Sequence, residues 1–455
     1  MPRSFKKVDY DQALETSVRL RDCLPPSHLA CYVADLVGQL ELSPFYARYA
    51  PRGGVAYAPE VLLGLLFYGY ATGVFSSRKI EAATYDQAPF RYLAGHTHPD
   101  HDTLAAFRTQ FLDLLPDVFR QLLLLASASG ALQVGQIVLA GDGTKIRADA
   151  SKHQAISYGH LDALDARLQT EIAALLARGE AADAAPLPDG LVIADEVADR
   201  EAQRARLAEA RRVLEERAQA RDAAAHAAYE AALAEREARA QARGRKPGGR
   251  PPQPPATSGP QPRDQYNFTD PTSRVMKNPT DAGFSQAYNS QVLTDQGSLL
   301  IVGYSVSNHP TDVTELGPAL DSIPEELDVV AAAYDTGFFS EANVAELERR
   351  GIEPYIATGR QGHRRDWQAQ FEPPAPVEPG PGATVRERMG YRLRTEVGKL
   401  IYRGRKCTVE PVIGIIKEVL GFRQFSLRGQ AKVAGEWCLM CLAYNLKRLH
   451  HLAQG

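Results

Sequence analysis

The chain has 455 residues, of which 44% are hydrophobic and 24% are charged, and its formal net charge at pH 7 is −3. This composition is ordinary for a globular protein, and the length predicts two or three domains. The five cysteines are scattered and odd in number, which argues against a disulfide framework and favours a reducing compartment. No apolar run reaches about 18 residues, so we expect a cytoplasmic protein without a membrane partner.

Residues 1–135 predict an all-α N-terminal domain. The stretch "PEVLLGLLFYGYATGV" is apolar on nearly every face, as a buried helix is, and "SSRKIEAATYDQ" begins a second helix. Basic residues near the helix starts, among them Arg78 and Lys79, suit a small DNA-binding domain. They suit an interaction or dimerisation domain equally well, and this segment alone does not decide between the two.

A strand pattern replaces the helical pattern near residue 136. The segment "QIVLAGDGTKI" is short and β-branched, and its apolar part ends at Asp142, which Gly143, Thr144 and Lys145 follow. We therefore expect Asp142 at the tip of a strand, where open α/β sheets place functional side chains.

Residues 160–261 differ in composition from both flanks. Ala, Glu, Arg and Gln dominate, and they predict a helix near 160–178 and a long helix near 194–243, joined across the turn "PLPDG". A Pro/Gly-rich linker, "RKPGGRPPQPPATSGPQP", follows. Because strand patterns resume beyond it, we interpret the segment as a helical-hairpin insertion. Its role stays open between protein–protein contact, DNA contact and neither.

Strand patterns return beyond the insertion and, with the strand near residue 136, predict an open α/β sheet. The stretches "SQAYNSQVLTD" and "SLLIVGYSVS" predict two strands joined by a tight turn at "QG". In "LDVVAAAYDTGFFS" an apolar strand again ends in an acid, Asp335, and a helix and the short strand "EPYIAT" come after it. Asn289 and Gln291 fit contacts with substrate or an active-site loop, and equally fit ordinary strand positions.

Asp142 and Asp335 each come at the end of an apolar strand pattern, and together they predict a shared site. Strand ends converge at one edge of an open α/β sheet, and neighbouring carboxylates repel each other unless a cation lies between them. Magnesium prefers such oxygens together with water and phosphate oxygens. A third carboxylate is offered by Glu410, which lies beside an apolar stripe at helical spacing in "TVEPVIGIIK". Taken alone, Glu410 also fits a structural pair with an arginine.

The C-terminal part of the chain is locally basic. Residues 383–451 hold 14 Lys and Arg against five Glu and no Asp, a local net charge of about +9. Such a surface favours an acidic polymer as partner, although a solvated helical face has the same composition.

The three acids resemble the DDE triad of bacterial insertion-sequence transposases. Asp142 in "DGTK", Asp335 in "YDTGFFS" and Glu410 in "TVEPVIGIIK" occur in the order of that triad. The segments "YGYATGVFSSRKIE", "DPTSRVMK", "YNSQ" and "FRQFSLRG" are also similar to the group. The resemblance covers nearly the whole chain except the insertion.

The run from Tyr402 to Lys417 resembles the Y-R-E-K signature of one large branch of these enzymes. Arg405 stands one residue further from Glu410 than in that pattern, and Lys406 takes the usual place. The resemblance implies an α/β fold, with an RNase H-like mixed sheet flanked by helices, an all-α N-terminal domain and a long helical insertion. The expected domains are residues 1–135, the catalytic domain at 136–159 and 262–455, and the insertion at 160–261.

The resemblance also implies a function. It implies a DNA transposase that cleaves strands at transposon ends and transfers them to target DNA. Two Mg²⁺ ions, which Mn²⁺ can replace, would be held by Asp142, Asp335 and Glu410. The partners would be double-stranded DNA and a second copy of the chain, in a homodimer on DNA within the bacterial cytoplasm and its nucleoid. The residues expected to bind DNA are Lys145, Arg147, Tyr402, Arg405, Lys406, Lys417, Arg423 and Arg428.

Two alternatives remain open. A hydrolysis-only nuclease of the same core would need the three acids but no assembly of paired ends. A repurposed or inactive transposase would bind DNA without cutting it, although the intact set of acids argues against decay.

Overall fold

The structure, a computed structural model, describes residues 19–49, 56–181, 192–244, 251–256, 259–278, 283–359, 377–380 and 382–454. The turn "PLPDG" and part of the Pro/Gly-rich linker lie outside the described residues. The chain forms two compact units. The first unit comprises residues 1–146 and 289–455, and the second comprises residues 147–288.

The first unit begins with short helices, as its N-terminal sequence predicts. They are α1 (Leu29–Val37), α2 (Ser43–Tyr46), α3 (Pro59–Ala71), α4 (Ser77–Asp86), α5 (Ala88–Leu93), α6 (His101–Gln110) and α7 (Leu115–Ala128). Helix α3 is buried on nearly every face, because apolar residues such as Leu62, Leu65 and Phe67 leave it no polar side. The expected domain boundary at residue 135 stays a prediction.

A mixed sheet forms the centre of the fold, as predicted. Its strands are β1 (Ile137–Arg147), β4 (Arg274–Asn278), β5 (Gly283–Asp295), β6 (Ile301–Ser307), β7 (Val329–Tyr334) and β8 (Glu353–Ile356), while the short β2 (Ala155–Ser157) and β3 (Gln265–Asn267) pair with each other. The strand order is β4-β5-β1-β7-β8, with β6 paired to β5. Strands β1, β7 and β8 are parallel, whereas β6 is antiparallel to β5.

Strand β1 does not end where the apolar pattern ends. It continues five residues past Asp142 to Arg147, so the expectation that Asp142 forms the strand tip is wrong. Pairing explains the difference. The parallel partner β7 stops at Tyr334, but the longer β5 still neighbours β1.

The C-terminal helices pack around this sheet within the first unit. They are α10 (Leu316–Leu320), α11 (Glu341–Arg349), α12 (Val385–Arg392), α13 (Glu396–Gly414), a π-helical turn (Ile415–Val419) and α14 (Gln430–Leu452). Helix α14 is fastened to the sheet. The Trp437 indole N–H donates to the Gln291 carbonyl at 3.0 Å, and the Asn445 side chain bonds both backbone groups of Ile301.

The second unit contains the predicted helical hairpin. Helix α8 (Tyr158–Ala181) packs on α9 (Ile193–Arg243) around a core that includes Leu168, Leu207 and Leu214. An ion pair between Arg204 and Asp165, at 2.8 Å, joins the two helices outside this core. Among the described residues, no helix is both long enough and apolar enough to cross a membrane.

Candidate active site

Asp142 and Asp335 are neighbours because β1 and β7 run parallel in register. Ala140 pairs with Ala333, so both acids follow the last paired residues by two positions. Adjacent strands lie about 4.8 Å apart, so the two acids lie level with each other on the neighbouring strands β1 and β7. Asp335 directly follows β7 and accepts a hydrogen bond of 2.8 Å from the Gly337 amide.

Two glycines make room on either side of Asp142. A Cβ atom on Gly141 would overlap the ring of Tyr334, which covers this part of β1. A Cβ atom on Gly143 would lie 2.5 Å from the Gln291 side-chain nitrogen and 2.7 Å from an oxygen of Asp312. The sequence "GDG" therefore reflects close packing of neighbouring side chains onto the backbone.

Asp142 lies in an environment that disfavours its charge. The pKa of its carboxyl is raised to about 6, chiefly by burial and to a lesser extent by the nearby Asp335 and Asp312, while Arg405 opposes the shift. One Asp142 oxygen accepts from the Gly143 amide at 2.8 Å, and the other accepts from Arg405 at 3.2 Å. The carboxyl is 24% exposed, so part of it faces solvent.

Arg405 links Asp142 to Glu410. Its two terminal nitrogens donate to Asp142 at 3.2 Å and to Glu410 at 3.4 Å, and its side chain is only 7% exposed. Val409, Val412 and the buried Arg405 share one face of α13, whereas Glu410 at the border is half exposed. Lys406 points to solvent, so Arg405 and not Lys406 lies with the acids.

The three carboxylates are not gathered into a preformed metal cage. Within the described ranges, no group of three or more His, Cys, Asp or Glu side chains is close enough to hold a metal ion. Asp142 and Asp335 lie level on the neighbouring strands β1 and β7, and Glu410 is joined to Asp142 through the Arg405 guanidinium. The predicted metal ligation by Asp142, Asp335 and Glu410 stays a prediction.

The predicted cationic residues differ in position. Lys417, within the π-helical turn, donates to the Thr144 hydroxyl at 3.2 Å, on the Asp142 face of β1. Lys145 alternates to the opposite face of the strand, where it pairs with Asp312 at 3.1 Å. The DNA-binding role expected for Lys145 stays a prediction.

The remaining predicted DNA-binding residues lie nearer the surface. Tyr402 is half-buried, and its ring lies under the Arg405 guanidinium, 5.9 Å from centroid to Cζ. Arg423 and Arg428 are exposed, and Arg423 pairs with Glu418. Arg147 is exposed and belongs to the second unit.

Comparison with known proteins identifies the family. Residues 18–110 match the family described as "Transposase domain (DUF772)", and residues 263–446 match the "Transposase DDE domain". No curated protein and no solved structure matches the chain. The chain belongs to the insertion-sequence DDE transposases. The transposase is accordingly an enzyme of the metal-dependent polynucleotidyl transferase class, has an RNase H-like core and binds DNA.

The DDE match contains Asp335 and Glu410 but begins after Asp142. The long insertion separates Asp142 from that matched segment in sequence. In the fold of the transposase, the β1–β7 register brings Asp142 back beside Asp335. The fold thus places the first acid, Asp142, beside Asp335, one of the two acids that the matched segment contains.

The acids fit a divalent cation by their chemistry. All three offer carboxylate oxygens, which are the ligands that Mg²⁺ and Mn²⁺ prefer, and the unfavourable charge of Asp142 is what a bound cation would relieve. The second oxygen of Asp335 and that of Glu410 have no hydrogen-bond partner among the described residues. Divalent metal use by the transposase agrees with this donor set.

Sequence reasoning missed Asp312. One of its oxygens accepts from Lys145 at 3.1 Å, from Asn289 at 2.7 Å and from Gln291 at 3.1 Å. The two amide side chains thus contact a loop of the site, the first of the two options that the sequence left open. Asp312 follows the end of β6 by five residues, too far for the pattern of a strand with an acid at its tip.

A large cleft of the first unit lies away from these acids. It has a volume of about 1190 Å³ and is lined by residues that include Tyr32, Gln136 and Leu452. None of the three candidate acids lines it. A DNA backbone binds at an accessible surface and not in a deep cavity. We therefore favour the three acids, and not this cleft, as the reaction site.

Proposed function

We propose that the transposase cleaves DNA at the ends of its element and joins the freed 3′-hydroxyl to target DNA, with Asp142, Asp335 and Glu410 as metal ligands. The observation that carries this proposal is the parallel register that sets Asp142 level with Asp335, with Glu410 tied to Asp142 through Arg405. When bound, two Mg²⁺ ions, or Mn²⁺ in their place, supply the charge stabilisation that an in-line phosphoryl displacement requires.

The residues around the acids orient the DNA. Lys417 and Arg405 carry positive charge on the Asp142 side of β1, where they hold phosphate oxygens beside the carboxylates. Tyr402 adds a hydroxyl donor, and burial raises its pKa above the ordinary value for tyrosine. Lys145, on the other face, acts at a distance by fixing the loop that carries Asp312.

Exposed cations extend the contact along the DNA backbone. Arg147, Lys406, Arg423 and Arg428 are exposed, and each phosphate that such a residue neutralises makes binding more sensitive to salt. These contacts fix register and contribute no sequence readout. The helices of residues 1–135 are assigned to end binding or dimerisation, and residues 136–159 and 262–455 to catalysis.

Water and a DNA 3′-hydroxyl serve in turn as the nucleophile. Attack by water at the element end breaks the phosphodiester bond and leaves a 3′-hydroxyl. Attack by that hydroxyl on a target phosphate joins element to target and releases the target's own 3′-hydroxyl. Because two ends must be joined to one target, the working species is a homodimer on DNA.

An assay that separates the two steps tests this function. Labelled duplexes that carry the element ends are incubated with the transposase, Mg²⁺ and a plasmid target. Nicked ends and then joined products are expected, and EDTA should abolish both. Nicking without joining would favour a hydrolysis-only nuclease, and tight end binding without nicking would favour a repurposed DNA-binding protein.

A further inference from the structure

The Arg405 guanidinium occupies the position between acids where a cation is needed. It lies within 3.2 Å of an Asp142 oxygen and 3.4 Å of a Glu410 oxygen, and its side chain is almost completely buried. Two carboxylates that approach one another are costly unless a positive charge lies between them. In the metal-free protein, that charge comes from Arg405.

We propose that Arg405 is the internal counter-ion of the metal-free site, and that a divalent cation and Arg405 compete for Asp142 and Glu410. The proposal rests on the function proposed above, because it needs these acids to be metal ligands. Both Asp142 oxygens are already engaged, one by the Gly143 amide and one by Arg405. A metal ion that takes the second oxygen must approach the guanidinium, and the two positive charges repel each other.

The resting position leaves Arg405 incompletely satisfied. Its Nε atom is buried and has no hydrogen-bond partner. An unpaired buried donor is unfavourable, so the contacts made by the two terminal nitrogens are partly offset. The resting contacts therefore stabilise Arg405 less than a fully hydrogen-bonded buried arginine would be stabilised.

When a divalent cation displaces Arg405 from Asp142 and Glu410, the guanidinium can bind an anion instead. Its planar fork matches the geometry of two phosphate oxygens, and the Tyr402 ring lies within 5.9 Å to support the charge. Metal binding thus releases a phosphate ligand, and DNA binding to Arg405 releases metal ligands. Because linkage is reciprocal, each should strengthen the binding of the other.

Calorimetric titration of the metal-free, full-length protein with Mn²⁺, in the absence of DNA, tests the competition. Arg405→Gln removes the competing charge and should bind Mn²⁺ about tenfold more tightly than wild type. Arg403→Gln, an exposed arginine on the same helix, is the matched control and should match wild type. Unchanged or weaker Mn²⁺ binding by Arg405→Gln would overturn the proposal.

A second measurement uses the wild-type protein and does not depend on the folding of a variant. Phenylglyoxal modifies accessible arginines, and peptide mapping reports each site separately. Labelling of Arg405 should rise when Mn²⁺ is added, because the buried side chain leaves the acids, whereas labelling of Arg403 should stay constant. Equal labelling of Arg405 with and without Mn²⁺ would contradict displacement.

Glu410→Gln distinguishes the two proposals. If this variant and wild type bind Mn²⁺ equally, the proposed metal site itself is wrong. If Glu410→Gln weakens Mn²⁺ binding but Arg405→Gln matches wild type, the metal site stands and the counter-ion role fails.

Discussion

Asp142 is a carboxylate held where its own charge is unfavourable. Burial raises its pKa to about 6, and two further aspartates contribute in the same direction. A side chain that served only stability would be expected to have the opposite shift, because paired surface acids have lowered pKa values. The unfavourable charge is accounted for if a divalent cation completes the environment of Asp142.

The metal-free transposase should therefore be stabilised by Asp142→Asn. Because the folded-state pKa is raised, the stabilising contribution of the protonated carboxyl is full below about pH 4 and is lost as pH rises through 6. The neutral variant avoids this loss. Urea unfolding in EDTA should show a gain of up to about 3 kcal/mol at pH 8 that shrinks towards pH 4.

Asp328→Asn is the control for this effect, since Asp328 is an exposed aspartate of the same unit. Its free energy of unfolding should follow that of wild type at every pH. A destabilised Asp142→Asn at pH 8 would mean that the Arg405 ion pair outweighs the cost of burial.

At the scale of elements, the loop after β6 is fastened to the sheet by Asp312. The single Asp312 oxygen that accepts three hydrogen bonds ties this loop to Lys145 on β1 and to Asn289 and Gln291 on β5. Both amides are almost completely buried. The loop, in turn, lies close to Gly143 and Gly337, which flank the two aspartates of the site.

Asp312→Ala should destabilise the transposase by about 2 to 3 kcal/mol, because it leaves buried donors unpaired. The measurement is urea unfolding at pH 7. Asp321→Ala removes a more exposed aspartate that pairs with Arg350 and should cost less than about 1 kcal/mol. If the two substitutions lower the free energy of unfolding equally, the Asp312 hydrogen bonds stabilise the fold no more than a surface ion pair does.

Elements of the site differ in how far the sequence predicts them. Local patterns suffice to predict β1, β7 and α13, because the spacing of their apolar residues shows the period of a strand or of a helix. The end of β1 is not predictable in this way, since it depends on which partner strand continues. The same holds for Lys145, whose side of the sheet follows from alternation along a strand longer than its apolar run.

Arg405 and Asp312 show a second limit of the sequence. The choice between Arg405 and Lys406 depends on helix phase, which the buried stripe of Val409 and Val412 sets in the folded chain. Asp312 lies in a loop and is recruited by residues from two distant strands. Neither contact leaves a local signal in the sequence.

At the scale of the whole molecule, the chain divides into two compact units, and the helical hairpin belongs to the second. Composition alone predicts this hairpin, because its helix formers differ from both flanks. The hairpin has a core of its own, in which Leu214 is 2% exposed. For the role of the hairpin in transposition, the three options given by the sequence stay open: protein–protein contact, DNA contact or neither.

Leu214→Ala should loosen the hairpin by about 2 to 5 kcal/mol through lost burial and a cavity. Hydrogen exchange followed by mass spectrometry should show faster exchange in α8 and α9. Leu176→Ala, at a position 52% exposed on α8, should leave the exchange rates nearly unchanged. Unchanged protection in Leu214→Ala would contradict the packing of the two helices.

The measurement that tests the central claim most directly is strand cleavage by wild type and Glu410→Gln. The substrate is a labelled duplex that carries the ends of the encoding element, with Mg²⁺ or Mn²⁺ present. Glu418→Gln is the matched control, because Glu418 is an exposed glutamate a short distance along the chain that pairs with Arg423. Wild type and Glu418→Gln should nick the element end, and Glu410→Gln should not. Nicking that survives in Glu410→Gln would remove Glu410 from the site and contradict the three-carboxylate account.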